Sequence, residues 1–272
     1  MTSPLISAEE LRTRLADGPA PFLLDVRWKL GGPPGHEEYV RGHIPGAAYV
    51  DLDRDLAAPP GRGGRHPLPS PEAFVDAMQR AGVRLEGPVV VYDDWAGHAA
   101  ARAWWLLRYY GRHDVRVLDG GLSAWLAVGG ELEEGEGSVE RGDFHGKPGS
   151  MPVVDADGLS SVSVLVDGRA PERFRGESEP VDPVAGHIPG AVNVPTKRNL
   201  DNHGQFRDPH ELRDVYASVG ILPGADVAVY CGSGVTAAHD VLAMELAGLE
   251  AALYPGGWSG WVTDSTRPVE TG

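Results

Sequence analysis

The chain has 272 residues, of which 42% are hydrophobic and 23% charged, as in a water-soluble globular protein. Its formal net charge of −15 argues against nucleic acid or an anionic membrane as a partner. We expect neither a signal peptide nor a membrane span, because the N-terminus lacks a basic stretch before an apolar core and no apolar run approaches about 18 residues. The single cysteine, Cys231, excludes an internal disulfide and favours the cytoplasm as the location.

Short apolar runs alternate with helical patterns along the chain. The N-terminal half is predicted to contain, in order, a helix over 5–15 with Ser7 as N-cap, a strand over 23–26, a helix over 71–81, a strand over 89–92, a helix over 98–110, a strand over 115–118 and a helix over 122–128. Further on, residues 227–230 predict a buried strand, and a helical pattern runs from 235 to about 247. This alternation indicates a mainly parallel sheet covered on both faces.

The sequence also repeats itself. Gly-His-Ile-Pro-Gly-Ala at 42–47 recurs at 186–191, and the Asp-x-Arg of Asp25 and Arg27 recurs 142 residues later. Near its end, each copy carries the motif Gly-Gly-x-x-x-Trp, which ends at Trp125 in the first copy and at Trp261 in the second. The repeat predicts a tandem duplication, with domains over 1–130 and 150–272. Residues 131–149, rich in Glu and Gly and without apolar periodicity, are predicted to be the linker.

Cys231 occupies a position that favours a reactive thiol. It follows a predicted strand and precedes a Gly-rich loop and a helix, so several backbone N–H groups and the positive end of the helix dipole would face it. Both features favour the thiolate, the nucleophilic form of cysteine. In the first copy Asp93 takes this position, so that half cannot form a persulfide and is expected to be structural or to supply pocket walls.

Together, the paired Asp-x-Arg and Gly-His-Ile-Pro-Gly-Ala segments, the Gly-Gly-x-x-x-Trp motifs and Cys-Gly-Ser-Gly-Val-Thr resemble a tandem-domain rhodanese-type sulfurtransferase. The loop is most similar to that of the 3-mercaptopyruvate sulfurtransferases. The resemblance implies an α/β fold of two tandem rhodanese-like domains, each a mainly parallel sheet flanked by helices. It further implies that Cys231 takes a sulfane sulfur from a small anionic donor and passes it to a thiol, cyanide or a thioredoxin-like acceptor. We expect a monomer without cofactor or metal.

The resemblance implies roles for further residues. Ser233, His66 and Asp53 would form a proton relay, and Arg173 would bind the carboxylate of the donor. The remaining predicted substrate contacts lie in the loop, at Gly232, Gly234, Val235 and Thr236. The two glycines are expected to adopt backbone angles that a Cβ would penalise. The alternative for the relay is that His66 is an exposed loop histidine and Asp53 a turn residue.

One position departs from the family pattern. A second arginine usually follows the Glu-Pro pair, but here Val181 stands there, followed by Asp182. Losing one charge-assisted contact to a carboxylate costs roughly 1.5–3 kcal/mol, so the preferred donor stays open. Arg175 and Arg198 are the candidates to replace it, with a surface salt bridge as the alternative role of Arg175.

Three other functions were weighed against sulfur transfer from 3-mercaptopyruvate, and the sequence argues against one of them, a phosphatase. Thiosulfate:cyanide sulfurtransferase activity ranks second, because the Gly232-Ser233 loop offers the thiosulfate dianion no side-chain cation. A phosphatase would need an arginine six residues after the cysteine, where Ala237 stands. A sulfur-carrier or partner-binding module would still use Cys231, but would dock an acceptor protein without turning over small thiols.

Overall fold

The computed structural model of the protein describes residues 3–272. The chain divides into two units, and the division is not sequential. The first unit comprises the chain up to Ala58 together with Pro69–Ser150, and the second combines Pro59–Leu68 with Met151–Gly272. No helix within residues 3–272 is long and apolar enough to cross a membrane.

The first unit is built on a five-stranded sheet. All its pairings are parallel and its strand order is β1-β5-β4-β2-β3. Its elements are β1 (Leu5–Ile6), α1 (Ala8–Asp17), β2 (Phe22–Asp25), α2 (Gly35–Arg41), β3 (Ala48–Tyr49), α3 (Leu52–Asp55), α4 (Pro71–Arg80), β4 (Val89–Tyr92), α5 (His98–Tyr109), β5 (Val115–Leu118) and α6 (Gly121–Ala127).

The second unit has a four-stranded parallel sheet of order β7-β6-β8-β9. Its elements are β6 (Val164–Asp167), α7 (Pro171–Phe174), β7 (Val192–Asn193), α8 (Pro209–Ala217), β8 (Val227–Tyr230), α9 (Ala237–Leu246), β9 (Ala252–Leu253) and α10 (Gly257–Trp261), with 3₁₀ turns at Gly158–Ser161 and Thr196–Asn199. Every side chain of β8 is buried, as its unbroken apolar run predicts for a central parallel strand.

The predicted parallel α/β organisation is confirmed, and β4, β5 and β8 have the predicted bounds. The prediction of helix from residue 5 is wrong, because Leu5 and Ile6 instead pair with Val117 and Leu118 of β5. Ser7 does cap the helix that follows, and its side chain accepts from the backbone N–H of Glu10. Helix α9 begins at Ala237, two residues later than predicted, because 235 and 236 still belong to the loop after Cys231.

Two segments differ from the predicted division into domains. Residues 131–149 belong to the first unit, where Phe144 is buried and its ring packs edge-on against Phe74. Pro59–Leu68 belongs to the second unit although it lies within the first copy of the repeat. Composition alone could not show either assignment, because both depend on contacts with residues distant in sequence.

The repeated Asp-x-Arg motif has a structural role in both units. The carboxylate of Asp167 binds the guanidinium of Arg169, whose Nη2 also donates to the carbonyl oxygen of Gly186 at 2.7 Å. Asp25 and Arg27 make the corresponding buried pair in the first unit. A buried ion pair whose remaining donors are hydrogen-bonded fixes the adjoining turn, which explains why both copies carry it.

Candidate active site

Cys231 follows directly after β8, at the carboxyl edge of the sheet of the second unit. Cys231 is only 2% exposed, and its carbonyl oxygen accepts from the backbone N–H of Trp258 at 2.7 Å. In open α/β sheets this edge is the usual position of binding sites. The backbone of α10 therefore holds the cysteine at the end of its strand.

The loop after Cys231 is shaped by glycine, for a different reason at each position. Gly234 has a φ of +77°, and a Cβ there would lie 2.4 Å from the carbonyl oxygen of Pro255, so both its conformation and its surroundings require glycine. Gly232 does not have a positive φ, and the expectation of a strained backbone at this residue is wrong. It is the space beside Gly232 that matters, because arginine side chains approach it.

The first unit shows what this kind of loop binds. The carboxylate of Asp93, which occupies the position of the cysteine, is fully buried and accepts four backbone hydrogen bonds of 2.8–2.9 Å. The donors are Trp95, Gly97, Ala99 and Ala100. The loop between β4 and α5 is therefore an anion-binding nest that holds a side chain of its own unit.

The corresponding N–H groups in the second unit lie in the loop and first helical residue that follow Cys231. At the constant offset of 138 residues that relates Asp93 to Cys231, the first three donors correspond to Ser233, Val235 and Ala237. Over residues 3–272, the N–H groups of these three residues have no hydrogen-bond acceptor. The loop can therefore accept an anion attached to the cysteine, such as a persulfide, where the first unit accepts a carboxylate.

Ser233 and His66 meet in the second unit, as the relay requires. His66 Nδ1 lies 2.7 Å from Ser233 Oγ, and both residues are buried. His66 is therefore not the exposed loop histidine of the alternative interpretation. Asp53 lies in the first unit, in the first turn of α3, and its Oδ2 accepts from Trp28 Nε1 at 2.9 Å.

The segment Pro59–Leu68 brings His66 to the loop. It turns tightly at Gly61 and Gly64, whose backbones exchange hydrogen bonds, and the backbone N–H of Arg65 donates to Ser259 Oγ at 3.0 Å. Gly64 has a φ of +100°, and a Cβ there would lie 2.5 Å from the carbonyl oxygen of Gly256. The segment Pro59–Leu68 thus packs against the start of α10.

Arg173 lies at the loop, as predicted, and is already paired with two carboxylates. Its Nη2 is 2.7 Å from Glu179 Oε1 and 3.0 Å from Asp182 Oδ2. Burial tends to raise the pKa of Glu179, but hydrogen bonds from Arg173 and from two backbone N–H groups outweigh it and lower this pKa. For Asp182 burial prevails over the attraction of Arg65, so its pKa is raised.

The sequence did not identify Arg65 as a site residue, yet its guanidinium reaches the loop. A Cβ built on Gly232 would lie 2.8 Å from Arg65 Nη2 and 3.6–3.7 Å from the two terminal nitrogens of Arg173. The two predicted replacements do not take this position, because Arg175 pairs with Glu177 at the surface and Arg198 donates to Ser218. The sequence signal that could have identified Arg65 is its place directly before His66.

Thr236 and Val235 complete the predicted site. Thr236 is the N-cap residue of α9 and is partly exposed, whereas the side chain of Val235 is buried. A search of residues 3–272 finds no group of three or more His, Cys, Asp or Glu side chains that could hold a metal ion.

The chain is similar to known proteins over most of its length. The model of the rhodanese-like domain matches residues 7–128 and 155–264. A putative thiosulfate sulfurtransferase, SseB of Mycobacterium tuberculosis, is 46% identical over 98% of this chain and 97% of its own length. A probable 3-mercaptopyruvate sulfurtransferase of Pseudomonas aeruginosa is 45% identical over 100% of this chain and 99% of its own.

A solved structure is similar over almost the same span. The crystal structure of SseA from Escherichia coli, described as a 3-mercaptopyruvate sulfotransferase with the rhodanese fold, aligns with a TM-score of 0.82 and 33% identity. The alignment covers 95% of this chain and all of SseA.

Proposed function

Because the chain belongs to the rhodanese family, we propose that it is a sulfurtransferase that moves a sulfane sulfur from 3-mercaptopyruvate to a thiophilic acceptor through a persulfide on Cys231. The observation that carries the proposal is the loop around this cysteine. Three N–H groups there have no acceptor within residues 3–272, while the equivalent groups of the first unit hold the carboxylate of Asp93. The second unit thus offers an anion site in which the anion would be the modified cysteine itself.

In the first half-reaction, the Cys231 thiolate attacks the sulfur of the donor. A sulfur–sulfur bond forms while the carbon–sulfur bond breaks, and the electron pair of the broken bond goes to the methylene carbon. This carbon takes up the proton of the donor thiol, so that pyruvate leaves and the persulfide anion stays on the enzyme. The loop N–H groups would stabilise the negative charge where it accumulates.

We propose that Ser233 and His66 carry the proton between donor sulfur and carbon. The hydroxyl can donate to a sulfur anion and accept from the imidazole, and the 2.7 Å separation from His66 Nδ1 suits that exchange. Asp53 is the third proposed member of the relay, in which a carboxylate would fix the tautomer of the imidazole.

In the second half-reaction, a nucleophilic acceptor attacks the outer sulfur of the persulfide. With cyanide the products are thiocyanate and the free Cys231 thiolate, and with a thiolate they are the acceptor persulfide and the same free thiolate. A thioredoxin-like protein is a further proposed acceptor. We also propose that the enzyme works as a monomer in the cytoplasm, where its single thiol stays reduced.

Thiosulfate is the second candidate donor. One relative is named for thiosulfate, and Arg65 supplies a side-chain cation that the loop sequence itself lacks. The two donors share a terminal sulfur and an anionic group, so both fit a nucleophilic cysteine next to arginines.

The proposal is tested by mixing the reduced protein with each donor and measuring its intact mass before and after an acceptor is added. We expect a gain of one sulfur atom that the acceptor removes, and a higher kcat/KM for 3-mercaptopyruvate than for thiosulfate. Because Cys231 is the only cysteine, the gain can be assigned to it, and Cys231→Ser serves as the control. A Cys231→Ser variant that retains turnover contradicts the mechanism.

A further inference from the structure

Helix α10 holds the loop after Cys231 through its own backbone. The N–H of Ser259 donates to the carbonyl oxygen of Gly232 at 2.9 Å, next to the bond that Cys231 receives. In the first unit the N–H of Leu122 donates in the same way to the carbonyl oxygen of Asp93 at 2.8 Å. Support of the loop by the backbone of the following short helix therefore belongs to both copies of the repeat, whether or not a cysteine is present.

The side chain of Ser259 makes contacts of another kind. It is 7% exposed, and its Oγ accepts from the backbone N–H of Arg65 at 3.0 Å and donates to the carbonyl oxygen of Gly256 at 3.4 Å. A hydroxyl can do both at once, so the buried group is satisfied. Ser123 has the same place in the Gly-Gly-x-Ser-x-Trp sequence of the first copy, but it is exposed. The burial of Ser259 therefore accompanies the segment Pro59–Leu68 and is not a property of the repeat.

Glycine lets this segment come close enough to α10 for the bond to form. A Cβ on Gly64 would lie 2.5 Å from the carbonyl oxygen of Gly256 and 2.9 Å from Ser259 Oγ. A Cβ on Gly61, in the same turn, would meet nothing within 4 Å. The turn therefore faces α10 with the side that carries Gly64.

Ser259 thus contacts both sides of the pair that would transfer the proton. Its backbone N–H holds Gly232, the residue before Ser233, and its side chain holds Arg65, the residue before His66. The 2.7 Å separation between Ser233 Oγ and His66 Nδ1 lies between these two anchors. Loss of the side-chain anchor alone would free the histidine while the loop stays in place.

The two candidate donors differ in their need for this pair. With 3-mercaptopyruvate, the carbon–sulfur bond breaks and the methylene carbon must receive a proton. With thiosulfate, the Cys231 thiolate attacks the terminal sulfur, a new sulfur–sulfur bond forms, and the old one breaks with its electron pair on the departing sulfite. No proton moves in that step, nor when cyanide removes the outer sulfur of the persulfide.

We propose that Ser259 is a positioning residue that anchors His66 against Ser233 and thereby makes the site efficient for donors that release their sulfur from carbon. The inference rests on the proposed function and adds a residue that acts on the choice of donor from outside the loop. It also gives the turn at Gly61 and Gly64 a role, because this turn delivers the backbone N–H that Ser259 binds.

The decisive variant is Ser259→Ala, which removes the hydroxyl and keeps the backbone bond to Gly232. Persulfide formation from 3-mercaptopyruvate should slow by about ten- to a hundredfold, because a displacement of about 1 Å in a proton-transferring group has an effect of this size. Persulfide formation from thiosulfate and removal of the sulfur by cyanide should keep their wild-type rates. Ser123→Ala is the matched control, because it removes the equivalent but exposed hydroxyl of the first copy.

A second pair of variants moves the segment without touching Ser259. Gly64→Ala places a Cβ against α10 and should slow the reaction with 3-mercaptopyruvate selectively, as Ser259→Ala does. Gly61→Ala adds the same methyl group to the open side of the turn and should leave both donors unaffected.

The rates are measured in single turnovers, by rapid quenching and intact mass, for each donor and for cyanide acting on the preformed persulfide. A loss confined to 3-mercaptopyruvate supports the inference. An unchanged rate with 3-mercaptopyruvate overturns it, and so does an equal loss in all three reactions, which would mean that Ser259 only supports the fold. If circular dichroism shows that Ser259→Ala does not fold, Gly64→Ala against Gly61→Ala decides by the same outcomes.

A double substitution shows whether Ser259 acts through the histidine. In a His66→Ala background, Ser259→Ala should cause no further loss with 3-mercaptopyruvate, because the group that it positions is already gone. A further loss as large as that of the single variant overturns the inference.

Failure of the proposed function would appear in different measurements. A Cys231 that gains no sulfur from either donor contradicts sulfur transfer itself. A donor-selective loss in His66→Ala without any loss in Ser259→Ala contradicts only the role of Ser259.

Discussion

Asp93 offers the most direct test of how the loop binds an anion, because it can be changed without touching the reactive cysteine. Its carboxylate is fully buried and accepts hydrogen bonds from four backbone N–H groups. Asp93→Ala would leave all four donors at the start of α5 without an acceptor. We therefore expect the substitution to destabilise the first unit.

The magnitude follows from the number of bonds lost. A buried N–H left without a partner costs about 1–3 kcal/mol, and bonds to a charged acceptor lie at the upper end of the net range. Four such donors, partly compensated by water entering the space of the lost carboxylate, give an expected loss of about 3–5 kcal/mol in the free energy of unfolding. The matched control is Asp94→Ala, whose carboxylate makes a half-exposed pair with Lys29 and should contribute less than about 1 kcal/mol.

The assay is urea unfolding followed by tryptophan fluorescence, with kcat/KM measured at room temperature on the same preparations. We expect Asp93→Ala to lower the urea midpoint well below that of Asp94→Ala while both keep the wild-type kcat/KM. Equal midpoints for the two variants would refute the nest as a source of stability. A collapse of kcat in folded Asp93→Ala would show that Asp93 itself takes part in the chemistry.

Two further variants test the relay and a buried acid. Ser233→Ala should lower kcat by about a hundredfold with little change in KM, because proton transfer through His66 loses its hydroxyl, and an unchanged kcat would show that this hydroxyl only packs. Burial raises the pKa of Asp240 well above its ordinary value, so the folded protein keeps a proton that the unfolded chain loses above about pH 4. Asp240→Asn should therefore gain stability relative to the wild type as the pH rises from about 4 to 8, and a difference that stays constant in urea unfolding across this range would contradict the raised pKa.

The strands of the two sheets could be predicted because their signal is local. Val89–Tyr92 and Val227–Tyr230 are unbroken apolar runs, and such runs are buried on both faces of a parallel sheet. Leu5–Ile6 could not be predicted in the same way. Its strand exists only through pairing with β5, more than a hundred residues further along the chain, while its own sequence suits the first turn of a helix.

The same difference between local signals and long-range contacts decides which residues of the candidate site could be predicted. The cysteine and its loop were evident from a strand, a Gly-rich turn and a helix in immediate succession. Arg65 was missed because its contact with the loop depends on Pro59–Leu68 packing against Gly256 and Ser259, which lie almost two hundred residues away. No periodicity within that segment could show which of the two units it belongs to.

The acidic character of the chain raises the question of how it recognises an anion at all. A formal charge of −15 repels an anionic donor, but the field of surface charges fades over about 8 Å at physiological ionic strength. Arg65 and Arg173 are paired with carboxylates, so they add little net field at long range. Short-range contacts must then matter more for recognition than the overall field of the chain. Val181 stands where the family pattern has an arginine, and the aspartate that follows it pairs with Arg65 beside the loop.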